Sequence, residues 1–251
     1  MRTIILAATI TCTTLVSVAA APALPVDLAL VLAVDVSGSM DEREQHIQRD
    51  GYVGAFRSPQ VVAAITGGLI GSIAVTYVEW SSQDQQTVVV PWTLIDGFGA
   101  SASFADALAA APLRSGTATS ISEALLFSSA QFEKNVHPAT QQAIDVSGDG
   151  PNSDGGSVTA ARDTVLARGI TINGLPIFLP GKSDAPDIDQ YYANCVIGGP
   201  NAFLYTVNDL SQLPEAIRQK LLQEIAFATP PPGRIVRAAG GSYVCDEMII
   251  E

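Results

Sequence analysis

Cysteine, histidine and basic residues are all scarce in this chain. Its 251 residues hold three cysteines, two histidines and 13 Lys plus Arg. With only His46 and His137 and no C-x-x-C pair, the chain lacks the ligand spacing of a structural zinc site. The 13 basic residues face 25 acids, giving a formal charge of −12, and they never cluster into a basic run. Phosphate backbones are engaged mainly by Lys and Arg, so nucleic acid is excluded as a partner. A G-x-S-x-G elbow is missing and neither histidine sits in a triad-like setting, which argues against a serine hydrolase. Charged residues are few at 15%, while 47% are hydrophobic, a balance that suits a globular core and not a disordered chain.

The one long apolar run lies at the start. Arg2 is the only charge before Asp27, and Ile4 to Ala21 is nearly all apolar or small. Val18-Ala19-Ala20-Ala21-Pro22-Ala23 offers several cleavage registers, the pattern of a secretory signal peptide. The expectation is therefore an exported protein, periplasmic or secreted, with no membrane span in the mature chain. Cleavage would remove Cys12 and leave Cys195 and Cys245, which in an oxidising compartment predicts one disulfide between them. The organisation expected is a signal peptide over 1–23, one domain over 24–228, and a tail over 229–251. The tail begins at Thr229-Pro-Pro-Pro-Gly233, which no helix can cross, and packs back on the domain.

Val26 to Val34 is a continuous apolar run with a single acid, as expected of a strand covered on both faces. Further strands are predicted over 73–80, 87–92, 142–146, 170–177 and 203–207. Helices are predicted over 41–57, a short stretch through 65, 104–111, 120–132, 158–168, 187–195 and 213–227. The short polar link 81–86 and Pro91 mark 87–92 as an antiparallel edge. The fold class is α/β: a doubly wound, mostly parallel open sheet with one antiparallel edge strand and helices on both faces. Such sheets place ligands at the carboxyl ends of their strands, near the switch in strand order.

The informative residues fall at those ends. Asp35-Val36-Ser37-Gly38-Ser39 follows the first strand and opens the first helix. A carboxylate with two hydroxyls at alternate positions puts three hard oxygen donors on one side of a turn, a set suited to Mg2+, Mn2+ or Ca2+. Thr119, before the 120–132 helix, and Asp149, after the fourth strand, bring oxygens from two neighbouring loops. Thr117 competes with Thr119, and Asp145 and Asp154 compete with Asp149. The plain alternative is that the hydroxyls only cap helices, since Ser39-x-x-Glu42 and Ser120-x-x-Glu123 both match a capping box. Asp149-Gly150 could likewise be only a turn. Three such elements, each after a strand or before a helix, are less easily explained by coincidence.

D-x-S-x-S after a first apolar strand, a Thr before a helix containing Ala124-Leu125, and Asp-Gly after a middle strand resemble the von Willebrand factor A domain and its metal-ion-dependent adhesion site. Within that group the chain resembles a bacterial exported family of unassigned function. The resemblance spans roughly Val26 to Phe227. It implies that Ser37 and Ser39 bind one divalent cation directly, Thr119 directly or through water, and Asp35 and Asp149 often through water. One position is left for an Asp or Glu of a partner protein. The usual Thr-Asp-Gly is here Gly148-Asp149-Gly150, a departure at the first position. The reading is a cation-dependent protein-binding module and not an enzyme. The alternatives are a metal-assisted phosphatase using Asp35, which would want a second acid where Ser37 stands, or a purely structural secreted domain.

Overall fold

The computed structural model describes residues 23–178, 187–226 and 244–246. The expected signal peptide, the Pro-rich break and most of the tail lie outside these residues. Five strands form one sheet in the order β3-β2-β1-β4-β5: β1 (Val26–Asp35), β2 (Ile73–Trp80), β3 (Gln86–Ile95), β4 (Ala139–Gly148) and β5 (Thr171–Pro176). All neighbours pair in parallel except β2 with β3, the antiparallel edge. The main helices are α1 (Glu42–Phe56), α2 (Pro59–Thr66), α3 (Phe98–Ala110), α4 (Ile121–Gln131), α5 (Val158–Ala167), α6 (Ile188–Tyr191) and α7 (Leu213–Ala226). This is the doubly wound α/β architecture expected of the pattern.

The alternation of β1 separates two cores. Leu28, Leu30, Leu32 and Val34 face one side and pack against α1, α2, α3 and α7. Ala29, Val31 and Ala33 face the other and pack against α4, α5 and α6. Both faces being covered, every residue of β1 and β2 is buried, which is why these strands read as continuous apolar runs. At the lower end, the lone acid Asp27 is satisfied by the backbone N–H groups of Ile70 and Gly71.

Several boundaries differ from expectation, for identifiable reasons. β3 runs on to Ile95 because Pro91 sits in a bulge: Tyr77 pairs with Val90 and Val75 with Thr93, so two residues face Thr76 alone. The Val90 carbonyl accepts a hydrogen bond from the Thr76 hydroxyl there. α3 begins at Phe98, its first turn rich in Gly and Ser that hide a helical pattern. β4 begins at Ala139, where Ala139 and the exposed Gln141 pair with Val26 and Leu28 at the start of β1. Residues 203–207 do not form the expected full strand. They run beside β5 in isolated parallel bridges, at Leu204 and Val207. Pro176 has no N–H to add to a ladder, and the N–H of Phe203 donates to the Asn173 side chain. The expected 187–195 helix is α6 for one turn, then widens into a π-helical turn over Tyr192–Val196.

Cys195 in that turn is disulfide-bonded to Cys245, with Cα atoms 5.5 Å apart. The next residue, Asp246, accepts hydrogen bonds from the Val158 N–H and the Ser157 and Thr159 hydroxyls at the start of α5. The short described piece of the tail is thus held to the domain by one covalent bond and one helix cap.

Candidate metal centre

Strand order reverses between β1 and β4, so their carboxyl ends flank the crevice where open α/β sheets bind ligands. Asp35 ends β1, level with Trp80 of β2. It is fully buried. Its Oδ1 accepts the Ser37 N–H at 2.7 Å, which curls the chain so that Ser37 and Ser39 point the same way. The Ser37 and Ser39 hydroxyl oxygens lie 3.0 Å apart, and Ser39 donates to Asp149 Oδ1 at 2.6 Å. Four of the five expected ligands thus form one connected set. Thr119 lies near the same loop: a Cβ placed on Gly150, beside Asp149, would lie 3.8 Å from the Thr119 hydroxyl.

Neither serine is spent on capping. The cap of α1 is Asp41, whose carboxylate accepts from the Glu44 N–H while Glu44 reaches back to the Asp41 N–H. Ser120 makes no side-chain cap to α4. The two apparent capping boxes are therefore not formed, and the Ser39 hydroxyl is left for Asp149.

The side chains of the competing residues are engaged with other partners. Thr117 is exposed and its hydroxyl pairs with that of Ser82 at 3.1 Å. Asp154 accepts the Gln83 N–H at 2.8 Å, tying its loop to the β2–β3 link. Asp145 faces the opposite side of the sheet, 2.5 Å from Lys220 Nζ on α7. His46 is on the exposed face of α1, and His137 Nδ1 meets the Leu24 carbonyl at the far end of the sheet.

Asp35 Oδ2 is the conspicuous atom of the site. It is buried with no hydrogen-bond partner. Burial, and next the charge of Asp149, push the Asp35 carboxyl up to about 7, against the pull of hydrogen bonds from Ser37 and from the Asp149 backbone N–H. Nearby, burial and then Asp35 hold the Tyr192 phenol well above its usual range, so it stays neutral. Its hydroxyl is also without a partner. A Cβ on Gly148 would lie 2.7 Å from the Tyr192 oxygen and 2.8 Å from Asp35 Oδ2. The glycine where a Thr is usual thus has a steric cause: Tyr192 occupies that space.

Sequence reasoning missed Tyr192, and with it Gln48, whose Nε2 donates to the Asp35 carbonyl while its Oε1 accepts from Ser147. The signal for Tyr192 was the glycine at 148. Gln48 carried none, being one polar residue of a polar helix. Among the described residues no three of His, Cys, Asp and Glu converge as a metal set. The site is instead two carboxylates and three hydroxyls, a donor set for a hard cation.

Residues 25–229 match the family model described as Protein of unknown function (DUF1194). The chain belongs to this family. No curated protein matches the DUF1194 chain. Among solved structures it is similar to proximal thread matrix protein 1 of the mussel byssus, at 17% identity and a TM-score of 0.59, over 82% of this chain and 49% of that one. A von Willebrand factor type A structure from Catenulispora acidiphila matches at 15% identity and a TM-score of 0.56, over 81% and 43%. The pilus adhesin SpaC of Lactobacillus rhamnosus GG matches at 12% and 0.60, over 81% and 31%. The chain therefore spans half or less of each of these structures. A further form of the mussel protein is described as having a zinc-occupied MIDAS motif.

Proposed function

We propose that the chain is an exported, divalent-cation-dependent protein-binding module of adhesion type. The observation that carries this reading is the buried, unpartnered Asp35 Oδ2 beside the joined hydroxyls of Ser37 and Ser39 and the carboxylate of Asp149. A buried carboxylate with an unmet oxygen calls for a positive partner, and no Lys or Arg among the described residues bonds to it. Ser37, Ser39, Thr119, Asp35 and Asp149 would hold Mg2+, or Mn2+ or Ca2+. When bound, the ion supplies a positive centre that the hydroxyls leave incompletely neutralised, to which an Asp or Glu of a protein partner can bond. On a surface of formal charge −12, this gives a local reversal of sign for an acidic group.

An adhesive use is supported by the likeness in fold to a pilus adhesin and to a mussel byssus protein with a zinc-occupied MIDAS motif. Asp35 is poorly placed as a nucleophile, being 0% exposed with Oδ1 already bonded to the Ser37 N–H. No helix among the described residues is long and apolar enough to cross a membrane. Extracytoplasmic extract passed over immobilised protein in Mg2+, in EDTA, and over Ser37→Ala in Mg2+ tests the reading. A partner retained only by wild type in Mg2+ is expected. Equal retention in all three removes the site from binding, and phosphate-ester turnover lost in Asp35→Asn would favour the hydrolytic alternative.

A further inference from the structure

The ring of Tyr192 packs against the sheet at two glycines of neighbouring strands. A Cβ on Gly174 of β5 would stand 2.9 Å from its Cδ1, and one on Gly148 of β4 would stand 2.7 Å from its oxygen. Either contact would be too close for a real side chain, so the ring fits because neither strand carries one there. The backbone that presents it is held as well. The Tyr192 carbonyl accepts from the Ile197 N–H at 3.0 Å across the π-helical turn, and Cys195 within that turn is bonded to Cys245. The phenol oxygen of the preceding Tyr191 accepts the Asn152 N–H at 3.1 Å, so the segment also braces the loop that carries Asp149.

To fill this space with an apolar ring, phenylalanine would be enough. The Tyr192 hydroxyl is sealed from solvent and has no hydrogen-bond partner, a costly state for a buried polar group. Asp35 Oδ2 lies 2.8 Å from the same Gly148 Cβ position, and it too is buried and unpartnered. The phenol can donate and the carboxylate oxygen can only accept. An ionised carboxylate offers about four lone-pair sites. The Ser37 N–H takes one at Oδ1, and the Asp149 N–H pulls on the same group. Sites remain for a hydroxyl donor on one side and a cation on the other.

We propose that Tyr192 is a positioning residue of the metal centre: its hydroxyl donates to Asp35 Oδ2 once a cation holds the carboxylate, and fixes the orientation in which Asp35 serves the ion, directly or through water. The inference rests on the metal reading of this site. Groups that hold a metal ligand in place in this way set affinity without touching the ion.

The test is a calorimetric titration of Mg2+ and of Mn2+ into the full chain and into Tyr192→Phe, which keeps the ring and loses only the hydroxyl. The variant should bind about tenfold more weakly, the lower end for losing a group that supports a metal ligand. Its urea midpoint in EDTA should match wild type, which separates a change of affinity from a loss of fold. In an Asp35→Ala background the same change should add little, since the hydroxyl acts through that carboxylate. With 13Cζ-labelled tyrosine, the signal missing from Tyr192→Phe should move in wild type as Mg2+ is added, in step with the calorimetric binding. Equal affinity of wild type and Tyr192→Phe, full additivity with Asp35→Ala, or an equal loss of stability in EDTA would each overturn the assignment and leave the metal reading in place. A wild type that binds neither ion would show that the metal reading itself had failed, and the role of Tyr192 with it.

Discussion

Ser39 donates its hydroxyl hydrogen to Asp149 Oδ1 at 2.6 Å, joining loops 110 residues apart in sequence. A cation arriving at this centre can draw on both oxygens at once. Titration calorimetry with Mg2+ or Mn2+ should therefore give one binding event in wild type. Ser39→Ala and Asp35→Ala should lower affinity by at least the 10- to 100-fold typical of losing a group that only supports a metal ligand. Unchanged affinity in Ser39→Ala would take that hydroxyl out of the site.

Crowding at Gly148 predicts a compensating pair. Gly148→Ala brings a methyl within 2.7 Å of the Tyr192 oxygen and 2.8 Å of Asp35 Oδ2, and should cost about 1–3 kcal/mol as overpacking does. Tyr192→Phe alone should be close to neutral, because the hydroxyl it removes is buried without a partner. Combined, the double variant should be more stable than Gly148→Ala alone in urea denaturation. Simple additivity would show that Tyr192 is not what the methyl meets.

The legibility of this chain was uneven, and the causes are physical. β1 and β2 could be read directly because both faces are covered, so burial is written into every position. The Asp35, Ser37 and Ser39 spacing is local, and Thr119 and Asp149 stood out by their place after strands or before helices. What escaped was set by contacts between distant segments. Tyr192, at the end of α6, comes beside Asp35 from a segment far along the chain. Gln48 and Lys220 are polar residues in helices whose patterns do not reveal that they are buried. The supposed cap at Ser39 failed because Asp41 and Glu44, two residues further on, form a complete box instead.

Without metal, Asp35 should make stability fall as pH rises. Its carboxyl moves from 3.8 to about 7 on folding, so between those values the folded state holds more protons than the unfolded one. Unfolding free energy then decreases with increasing pH across that window, and Asp35→Asn should flatten the slope. Glu224, also pushed up to about 7 by burial, contributes in the same direction and persists in that variant. Saturating Mg2+ should oppose the trend, since binding favours the ionised carboxylate. Denaturation curves at pH 4.5 and 7.5, in EDTA and in Mg2+, measure it. Identical slopes for wild type and Asp35→Asn would mean that Asp35 is not the titrating group.

The Cys195–Cys245 bond closes a separation of 50 residues. On the chain-entropy model such a loop contributes about 4 kcal/mol through the unfolded state. Reduction should lower the denaturation midpoint accordingly, and a Cys195→Ala/Cys245→Ala double variant should be insensitive to reductant. Two free thiols in protein prepared from an oxidising compartment would contradict the bond.

Lys220 lies on α7 with its ammonium 2.5 Å from Asp145 Oδ1 and 2.8 Å from Glu224 Oε1, and all three side chains are almost wholly buried. Asn173 donates to the other oxygen of Glu224, and the ring of Phe203 lies 4.9 Å from the ammonium. Burial raises both carboxyls, and Lys220 is what draws them back. One cation between two anions makes the three groups a unit, so removing the cation harms more than removing the whole cluster. Lys220→Met should cost about 3–5 kcal/mol at pH 7.5, the range for stranding a buried charge. With no cation the carboxyls hold their protons to higher pH in the folded state, so the loss should shrink as pH falls toward 5. Adding Asp145→Asn and Glu224→Gln to Lys220→Met leaves no buried charge and should recover part of the loss. A triple variant no more stable than Lys220→Met would mean that packing around the lysine stem, and not its charge, fixes α7 against the sheet.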